Sequence, residues 1–304
     1  MTLQELLQEG VGRLKAAGVP DASYDAWALL GRAFGRSKAE LLAELPRELC
    51  GDASGNAEGP GSSSRPGDCE AAERFKADIG RRALREPLQH ILGEAGFMGL
   101  SFAVSPSVLI PRQDTETLVE TVLSEEREKD LQVLDLCTGS GCIAIALKKL
   151  GAYRSVTGTD IDAAALAAAG ANALANRARV RFLEADLFEG LSGSYDVIVS
   201  NPPYIPTGEI GLLAPEVRDF DPRKALDGGG DGLLFYRRIL KDAPRFLKPG
   251  GRIYLEIGWD QAQAVGELLE ASGFSDVRIL RDLAGRDRVA AGVCRPACRN
   301  LSPA

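Results

Sequence analysis

The apolar positions follow two different periodicities along the chain. Over residues 1–86 they recur at helical spacing, for example at Leu7, Val11 and Leu14. Beyond residue 131, short β-branched runs alternate with longer helical segments, which is typical of a parallel sheet covered on both faces. The pattern therefore predicts a small helical bundle followed by an α/β domain.

The predicted bundle spans residues 1–86. Asp21 and Ser37 stand where the N-caps of two of its helices are expected. Residues 51–68 are rich in Gly, Ser and Pro and nearly free of large apolar side chains, so we expect a disordered insertion there. Helix is predicted to resume over residues 69–84 and to end before Pro87.

Residues 87–304 are predicted to form the second domain. A β-hairpin over residues 97–104 and a helix that ends near Glu128 precede its sheet. The predicted strands of the sheet are residues 133–136, 156–159, 180–183, 197–200, 253–257, 277–280 and 288–292. No helix separates the last two strands, so we expect them to form an antiparallel hairpin at one edge of an otherwise parallel, seven-stranded sheet.

A stiff polar segment follows the strand at 197–200 and carries the strongest chemical signal: Asn201, Pro202, Pro203 and Tyr204. The prolines end the strand, because proline has no N–H for the ladder, and they restrict the backbone before any ligand binds. The Asn side-chain oxygen and the Pro202 carbonyl can accept hydrogen bonds from one NH2 group, while Tyr204 offers a flat face. A turn that merely ends a buried strand is the alternative interpretation.

A glycine-rich turn after the first strand indicates a second part of the same site: Cys137, Thr138, Gly139, Ser140 and Gly141. Asp160 ends the next strand, about twenty residues on, where a carboxylate can accept from ribose hydroxyls. Asp186 follows the third strand, where it can accept from an adenine amino group while Leu187 packs on the ring. Each Asp alone is also explained as a helix N-cap. Their order on successive strand ends favours a single nucleoside site.

Composition and charge restrict the class of protein. With 304 residues, 45% hydrophobic and 26% charged, the chain has the composition of a soluble globular protein of two domains. Its net charge of −7 argues against a protein that binds phosphate backbones over a broad surface. No apolar run is long enough to cross a bilayer, and the first ten residues lack the order of a signal peptide, so we expect a cytoplasmic protein.

The cysteines do not predict a metal site. Six cysteines and the single histidine, His90, show no zinc or iron–sulfur spacing, so free thiols and no bound metal are expected.

The Gly-rich turn, the acidic strand ends and the Asn-Pro-Pro-Tyr segment together resemble the S-adenosylmethionine-dependent methyltransferases of the Rossmann-like class I fold. Further segments narrow the resemblance to the PrmC/HemK family of release factor glutamine methyltransferases: residues 86–93, 109–116, 221–229 and 282–288. His90 stands where that family usually has Tyr, and Asp221 where it often has Glu. The resemblance extends from the helical domain almost to the C-terminus.

The resemblance implies a reaction and its partners. The substrate is the glutamine of the Gly-Gly-Gln motif in class I peptide chain release factors, methylated on its side-chain amide nitrogen. S-Adenosylmethionine is the methyl donor and S-adenosylhomocysteine the product. Residues 201–204 would bind the substrate and act in catalysis. The turn at 137–141, Asp160 and Asp186 would contact the cofactor, and so would Asn201. The bundle would dock the release factor, and we expect a monomer without nucleic acid or membrane partners.

Two other functions are compatible with the same segment. Adenine-N6 methyltransferases of DNA or RNA also hold an NH2 group conjugated to a planar system, but they must extrude the base and usually carry a basic groove. An acidic chain with a small helical bundle fits that function poorly. A catalytically silent cofactor-binding scaffold is the other alternative, since a fold does not fix a function.

Overall fold

The structure is a computed structural model, and it describes residues 1–49, 65 and 67–295. The chain divides into two compact units, one formed by Met1–Gly93 with Pro215–Phe220 and the other by Glu94–Ala214 with Asp221–Ala304. The sequence placed the boundary at residue 86 and did not assign residues 215–220 to the first unit. Most of the predicted insertion at 51–68 lies outside the described residues.

The first unit is helical. Its helices are α1 Leu3–Ala16, α2 Ala22–Phe34, α3 Lys38–Ala43, α4 Asp68–Ala83 and α5 Leu88–Leu92. Ser37 is the predicted N-cap of α3. Its hydroxyl accepts from the backbone N–H of Glu40, and the Glu40 carboxylate accepts from the backbone N–H of Ser37. Asp21 precedes α2 without a side-chain cap bond, whereas Thr2 forms a second capping box at α1. Local hydrogen bonding therefore fixes two of these helix starts.

A buried charge network accompanies the apolar core of the first unit. Nε of Arg82 donates to Asp25 at 2.7 Å, and Nη1 of the same guanidinium donates to Glu216 at 3.0 Å. Arg85 also donates to both carboxylate oxygens of Glu216, at 2.7 and 2.6 Å. Burial would make each of these charges costly alone, and the mutual pairing offsets that cost. The network explains why the short segment Pro215–Phe220 belongs to this unit.

The second unit contains the predicted hairpin and sheet. The hairpin is β1 Glu94–Phe97 and β2 Leu100–Ala103, followed by α6 Gln113–Glu125, which ends three residues before the predicted Glu128. The sheet strands are β3 Gln132–Leu136, β4 Ser155–Asp160, β5 Arg181–Glu184, β6 Tyr195–Ser200, β7 Leu247–Glu256, β8 Phe274–Arg281 and β9 Asp287–Cys294. Their order is β5-β4-β3-β6-β7-β9-β8, and only the pairings of β9 are antiparallel. This is the predicted Rossmann-like class I fold, with its hairpin at one edge.

Helices cover both faces of this sheet. The connecting helices are α7 Cys142–Ala146, α8 Ala163–Ala175, α10 Leu234–Phe246 and α11 Ala262–Ala271, whereas α9 Pro215–Arg218 belongs to the first unit. Leu118, Val122 and Ile145 pack in the core on one face, and Tyr236, Leu240 and Leu269 in the core on the other. Because both faces are buried, the central strands are almost continuously apolar, which made them visible in the sequence.

Two predictions about local structure are wrong. Strand β7 starts at Leu247 rather than at residue 253, because Leu247 pairs with Tyr195 before a register shift, and the Lys-Pro-Gly-Gly residues between hid this pairing. Cys69 is disulfide-bonded, whereas Cys137, Cys142 and Cys294 are free thiols as expected. Cysteine spacing along the chain does not reveal which sulfurs folding brings together. Within the described ranges, no helix is long and apolar enough to span a membrane.

Two glycines of α1 provide a matched test of packing in the first unit. A Cβ atom at Gly10 would lie 2.7 Å from Cζ of Phe75, which is 1% exposed, whereas one at Gly12 would meet no described atom within 4 Å. Both substitutions to Ala gain the same helix propensity, so their difference isolates overpacking. We expect Gly10→Ala to be less stable than Gly12→Ala by about 1–3 kcal/mol. Urea denaturation followed by circular dichroism measures this, and equal midpoints would contradict the packing at Phe75.

Candidate active site

The carboxyl ends of the parallel strands meet at one edge of the sheet and surround a cavity. Many of the predicted site residues line it: Cys137, Gly139, Asp160, Asp186, Leu187, Asn201 and Pro203. These residues follow β3, β4, β5 and β6, which pair side by side in parallel. The topology thus brings together residues that are up to 66 positions apart in the sequence, as Cys137 and Pro203 are.

The other predicted site residues are not among those that line the cavity. Thr138 and Ser140 are buried, and the hydroxyl of Thr138 donates to Asp135 at 2.6 Å. Gly141 has a φ of +80°, and a Cβ there would lie 3.0 Å from Cβ of Ala169, so this glycine serves the approach of α8. Pro202 is buried, and the side chain of Tyr204 turns to Glu256 at 3.3 Å.

Three residues that line the cavity, two after β3 and one after β5, have positive backbone φ angles. Gly139 has a φ of +53°, and its N–H donates to Oδ2 of Asp160 at 2.9 Å. Cys137 and Leu187 also adopt positive φ values of 58° and 57°, which side-chain-bearing residues rarely do. All three residues line the cavity. Such backbone strain persists where the surrounding structure holds it, and it is concentrated at functional sites.

The lining suits an adenosyl group. The carboxylates of Asp160 and Asp186 are acceptors for hydroxyl and amino donors, and Leu187 and Phe235 supply apolar surface for a ring. Oδ2 of Asp186 accepts from Arg238 at 2.7 Å, and Oδ1 of Asp160 accepts from the Asp162 N–H at 3.0 Å. Each oxygen has a second lone pair, so both carboxylates can accept further bonds. The described residues contain no cluster of metal-ligating side chains.

Asp135 lies beneath the turn and is fully buried. Burial raises the pKa of its carboxyl to about 7, against the opposing effect of hydrogen bonds from Thr138 and from the Ala144 N–H, and the charge of Asp160 raises it further. Both bonds end on Oδ2, at 2.6 and 3.2 Å. Asp135 lies in the predicted strand 133–136, and the sequence assigned it no role, because nothing in the sequence indicates how completely a strand end is buried.

The side-chain amide of Asn201 has a defined orientation. Its Nδ2 donates to the hydroxyl of Thr115 at 3.1 Å, in the first turn of α6. No side-chain or backbone donor among residues 1–49 and 67–295 binds its Oδ1 or the carbonyl of Pro202. Two acceptors therefore remain for a ligand, and Oδ1 belongs to a residue that lines the cavity.

The Asn-Pro-Pro-Tyr segment is clamped by the loop that contains residues 226–232. The N–H of Ile205 donates to the carbonyl of Leu226 at 3.0 Å, and that of Gly228 donates to the carbonyl of Ile205 at 2.8 Å. A Cβ at Gly228 would lie 2.7 Å from Cα of Tyr204. Nε2 of Gln261 donates to the carbonyl of Tyr204 at 2.9 Å. These contacts account for the glycine at 228, which lies in the segment 221–229 that supported the resemblance.

Several residues at the site were missed from the sequence. Phe235 and Lys224 line the cavity, Arg238 pairs with Asp186, and Thr115 and Glu256 contact residues 201–204. Thr115 belongs to the segment 109–116 that supported the resemblance, which was the available signal. The signal for Glu256 was weaker: it is an acidic residue at the carboxyl end of the buried strand β7.

Comparisons with known proteins agree with the fold. Residues 112–214 match the family model of the Methyltransferase small domain, and residues 5–55 match that of the PrmC N-terminal domain. A release factor glutamine methyltransferase from Geobacter sulfurreducens is 41% identical over 292 residues, which covers 96% of each chain. One from Moorella thermoacetica is 44% identical over 293 residues, covering 95% of this chain and 97% of the relative.

A solved structure shares the fold at lower identity. The crystal structure of a methyltransferase from Pyrococcus furiosus superposes with a TM-score of 0.50 at 21% identity, and the match covers 66% of this chain and 91% of that chain. At this identity the likeness concerns the fold alone.

The buried carboxyl of Asp135 predicts a pH-dependent stability. Because its pKa is higher in the folded protein than in the unfolded chain, the protonated group stabilises the fold at low pH, and this stabilisation is lost as the pH rises from about 4 to about 7. In Asp135→Asn a neutral amide of the same shape replaces the carboxyl. We expect the variant to be more stable than the wild type at pH 8 by about 2–4 kcal/mol, with the difference vanishing near pH 4.

Urea denaturation at a series of pH values measures this difference. Asp130→Asn, at an exposed carboxyl, controls for the loss of one negative charge. Parallel pH profiles of the wild type and Asp135→Asn would show that burial does not raise this pKa.

Proposed function

The chain belongs to the family of release factor glutamine methyltransferases, and from this premise we propose that it methylates the glutamine of the Gly-Gly-Gln motif in class I release factors. The acceptor atom is the side-chain amide nitrogen, and the methyl donor is S-adenosylmethionine. The observation that carries the proposal is the orientation of Asn201, whose Nδ2 is held by Thr115 and whose Oδ1 is left for a ligand at the cavity.

The cavity residues would hold the donor by its adenosine. Asp160 would accept from the ribose hydroxyls, Asp186 would accept from the adenine amino group, and Leu187 would pack on the ring. The turn 137–141 would bring the backbone close to the amino acid portion, since Gly139 adds no side chain there. When bound, S-adenosylmethionine supplies a methyl group on a sulfonium sulfur, and the N–C bond forms as the S–C bond breaks.

Residues 201–204 would prepare the substrate amide. An amide nitrogen is a weak nucleophile because its lone pair is delocalised into the carbonyl. Oδ1 of Asn201 and the carbonyl of Pro202 would accept its two N–H groups and direct the nitrogen at the methyl group, while Pro203 and Tyr204 flank the planar carboxamide. Fixing two reactants in this way can lower a barrier by on the order of 7–11 kcal/mol. The chain needs no strong base, since the amide proton becomes acidic only as the N–C bond forms and can then pass to water, while the sulfur leaves as the neutral thioether S-adenosylhomocysteine.

We also propose roles for the remaining features of the chain. The helical unit, predicted over residues 1–86, would dock the release factor, and its match to the PrmC N-terminal domain supports this. Because the chain has a net charge of −7, direct binding of nucleic acid is not expected. We expect the protein to act in the cytoplasm as a monomer, without a membrane partner.

The role of Asn201 predicts the effect of its removal. In Asn201→Ala the substrate amide loses one oriented acceptor, so we expect turnover on a purified release factor to fall by roughly 100-fold or more. Transfer of one methyl group is measured by mass spectrometry of the Gly-Gly-Gln peptide. A far-ultraviolet circular dichroism spectrum and a urea midpoint equal to those of the wild type serve as the control for folding. Near-normal turnover would remove Asn201 from the mechanism.

The substrate itself is tested with the wild-type protein. An adenine-containing oligonucleotide is incubated with labelled S-adenosylmethionine in parallel with the release factor. Transfer to the oligonucleotide and none to the release factor would contradict the proposed function.

The rigidity of residues 201–204 predicts the effect of a methyl group at Gly228. The added Cβ at 2.7 Å from Cα of Tyr204 must displace backbone, since neither atom belongs to a flexible side chain. Displacements near 1 Å at a reacting group can cost about 100-fold in rate, and we expect Gly228→Ala to lose at least about tenfold in kcat. Gly230→Ala is the matched control two residues away, because its Cβ would meet no described atom within 4 Å. Equal kcat values for both variants would contradict the clamp.

A further inference from the structure

The large apolar side chains that stay exposed in the second unit are unevenly distributed over its described residues. Leu150 and Leu174 precede β4 and β5, so they lie at the amino edge of the sheet. The others lie at the carboxyl edge, which carries the cavity: Ile161, Leu212, Leu234, Trp259 and Leu283. Ile161 lines the cavity itself. The remaining four belong to connections that follow β6, β7 and β8, and β6 leads directly into residues 201–204.

Trp259 lies in a turn that is hydrogen-bonded to the Asn-Pro-Pro-Tyr segment. The residue is 64% exposed. On either side of it, the carbonyl of Gly258 accepts from the N–H of Gln261 at 3.0 Å, and Oε1 of Gln261 accepts from the N–H of Gly258 at 3.0 Å. Nε2 of Gln261 donates to the carbonyl of Tyr204. The turn that carries the indole is therefore fixed and joined directly to the proposed substrate loop.

Leu283 is fully exposed in the turn that joins β8 to β9. Oδ1 of Asp282 accepts from two backbone N–H groups of this turn, at 2.9 and 3.0 Å. Oδ2 of Asp282 accepts from the buried Arg288 at 3.2 Å, and Nη1 of Arg288 also donates to the carbonyl of Ile257 at 3.4 Å. Ile257 is two residues before Trp259. One buried guanidinium thus ties the two turns together.

A rigid apolar side chain in water is suited to a partner. The fold gains little from a leucine that stays fully hydrated, whereas a partner that covers it removes apolar surface from water. Because the turns are already fixed, little conformational freedom is lost when they are covered. Tryptophan is among the residues that contribute most at the centres of interfaces. Single exposed residues need no explanation, but a group of them beside a cavity indicates an interaction surface.

We propose that Leu212, Leu234, Trp259 and Leu283 form an apolar rim that binds the residues next to the substrate glutamine in the release factor. The inference rests on the proposed function, because its occupant is the polypeptide that carries the methylated amide. An extended polypeptide advances about 3.3–3.6 Å per residue, so the neighbours of a glutamine held at Asn201 lie over the adjacent loops. The body of the release factor would still dock on the helical unit. A second copy of the chain on the rim would compete with the substrate for this edge.

Leucine variants at the two edges of the sheet provide a matched test. Leu283→Ser removes apolar surface at the carboxyl edge, and Leu174→Ser removes the same surface from an exposed leucine at the amino edge. We expect kcat/KM for the release factor to fall about tenfold in Leu283→Ser, through KM, and to keep its wild-type value in Leu174→Ser. Trp259→Ala is expected to lose at least as much as Leu283→Ser. Circular dichroism and the affinity for S-adenosylmethionine are expected to match the wild type in all three variants.

Fluorescence reports contact at the rim directly, because Trp27 and Trp259 are the only tryptophans of the chain. In Trp27→Phe the emission comes from Trp259 alone. A release factor whose own tryptophans are replaced by phenylalanine is added together with S-adenosylhomocysteine, which prevents turnover. We expect the emission to shift to shorter wavelength and its quenching by acrylamide to decrease. An adenine-containing oligonucleotide is expected to cause neither change.

The outcomes separate the apolar rim from the proposed function. A wild-type kcat/KM in both Trp259→Ala and Leu283→Ser, or an emission that the release factor does not change, would overturn the rim while the wild type still methylates the release factor. Equal losses in Leu283→Ser and Leu174→Ser would overturn it as well, because the loss would not depend on position. So would a shift caused by the oligonucleotide alone, or a wild-type dimer that Leu283→Ser dissociates without a change in kcat/KM. A wild-type protein that does not methylate the release factor would overturn both proposals.

Discussion

The backbone of Tyr204 is enclosed by the loop that contains residues 226–232 and by the side chain of Gln261. A Cβ at Gly228 would lie 2.7 Å from its Cα, and one at Gly232 would clash with its carbonyl oxygen, to which Gln261 donates. Pro202 and Pro203 fix the preceding turn through their own rings. The segment therefore has little freedom to lose when a substrate binds, and its acceptors stand in place beforehand. Preorganisation of this kind can assist a weak nucleophile without a strong base.

Two buried carboxyl groups lie next to this rigid segment and the turn after β3. Burial raises the pKa values of Asp135 and Glu256 to about 7, so both carboxyl groups gain or lose a proton near neutral pH. Such groups weaken the fold when they ionise, yet each organises a neighbour: Asp135 binds Thr138 of the turn, and Glu256 binds Tyr204. Hydrogen bonds in a poorly hydrated interior orient their partners more strictly than those in water. The folding stability that is lost when Asp135 and Glu256 ionise is consistent with a requirement that Thr138 and Tyr204 be held in fixed orientations.

The sequence predicted those features that depend on short stretches of chain. The central strands are apolar runs, and Asn201, Asp160 and Asp186 stand at their ends, so the parallel topology alone brings them to one edge. Features that depend on distant pairs were not predictable in this way. Thr115 and Asn201 are 86 positions apart, and Glu216 joins a unit that is otherwise formed by the first 93 residues. Likewise, the start of β7 at Leu247 follows from its pairing with Tyr195 and not from its own residues.

The chemistry of residues 201–204 does not by itself separate a carboxamide from an aromatic amine. Asn201 and Pro202 would accept from any planar NH2 group, and the flat face of Tyr204 suits either one. Discrimination must then come from parts of the chain that recognise the remainder of the substrate. A duplex or single strand would require cationic surface, which a chain with a net charge of −7 supplies poorly. A protein substrate would require a second contact surface instead, which we propose for the helical unit; none of the residues that line the cavity belongs to that unit. Recognition of the body of the substrate protein would thus lie on the helical unit and methyl transfer on the other unit. Residues 201–204 would then be able to bind any acceptor that offers an NH2 group.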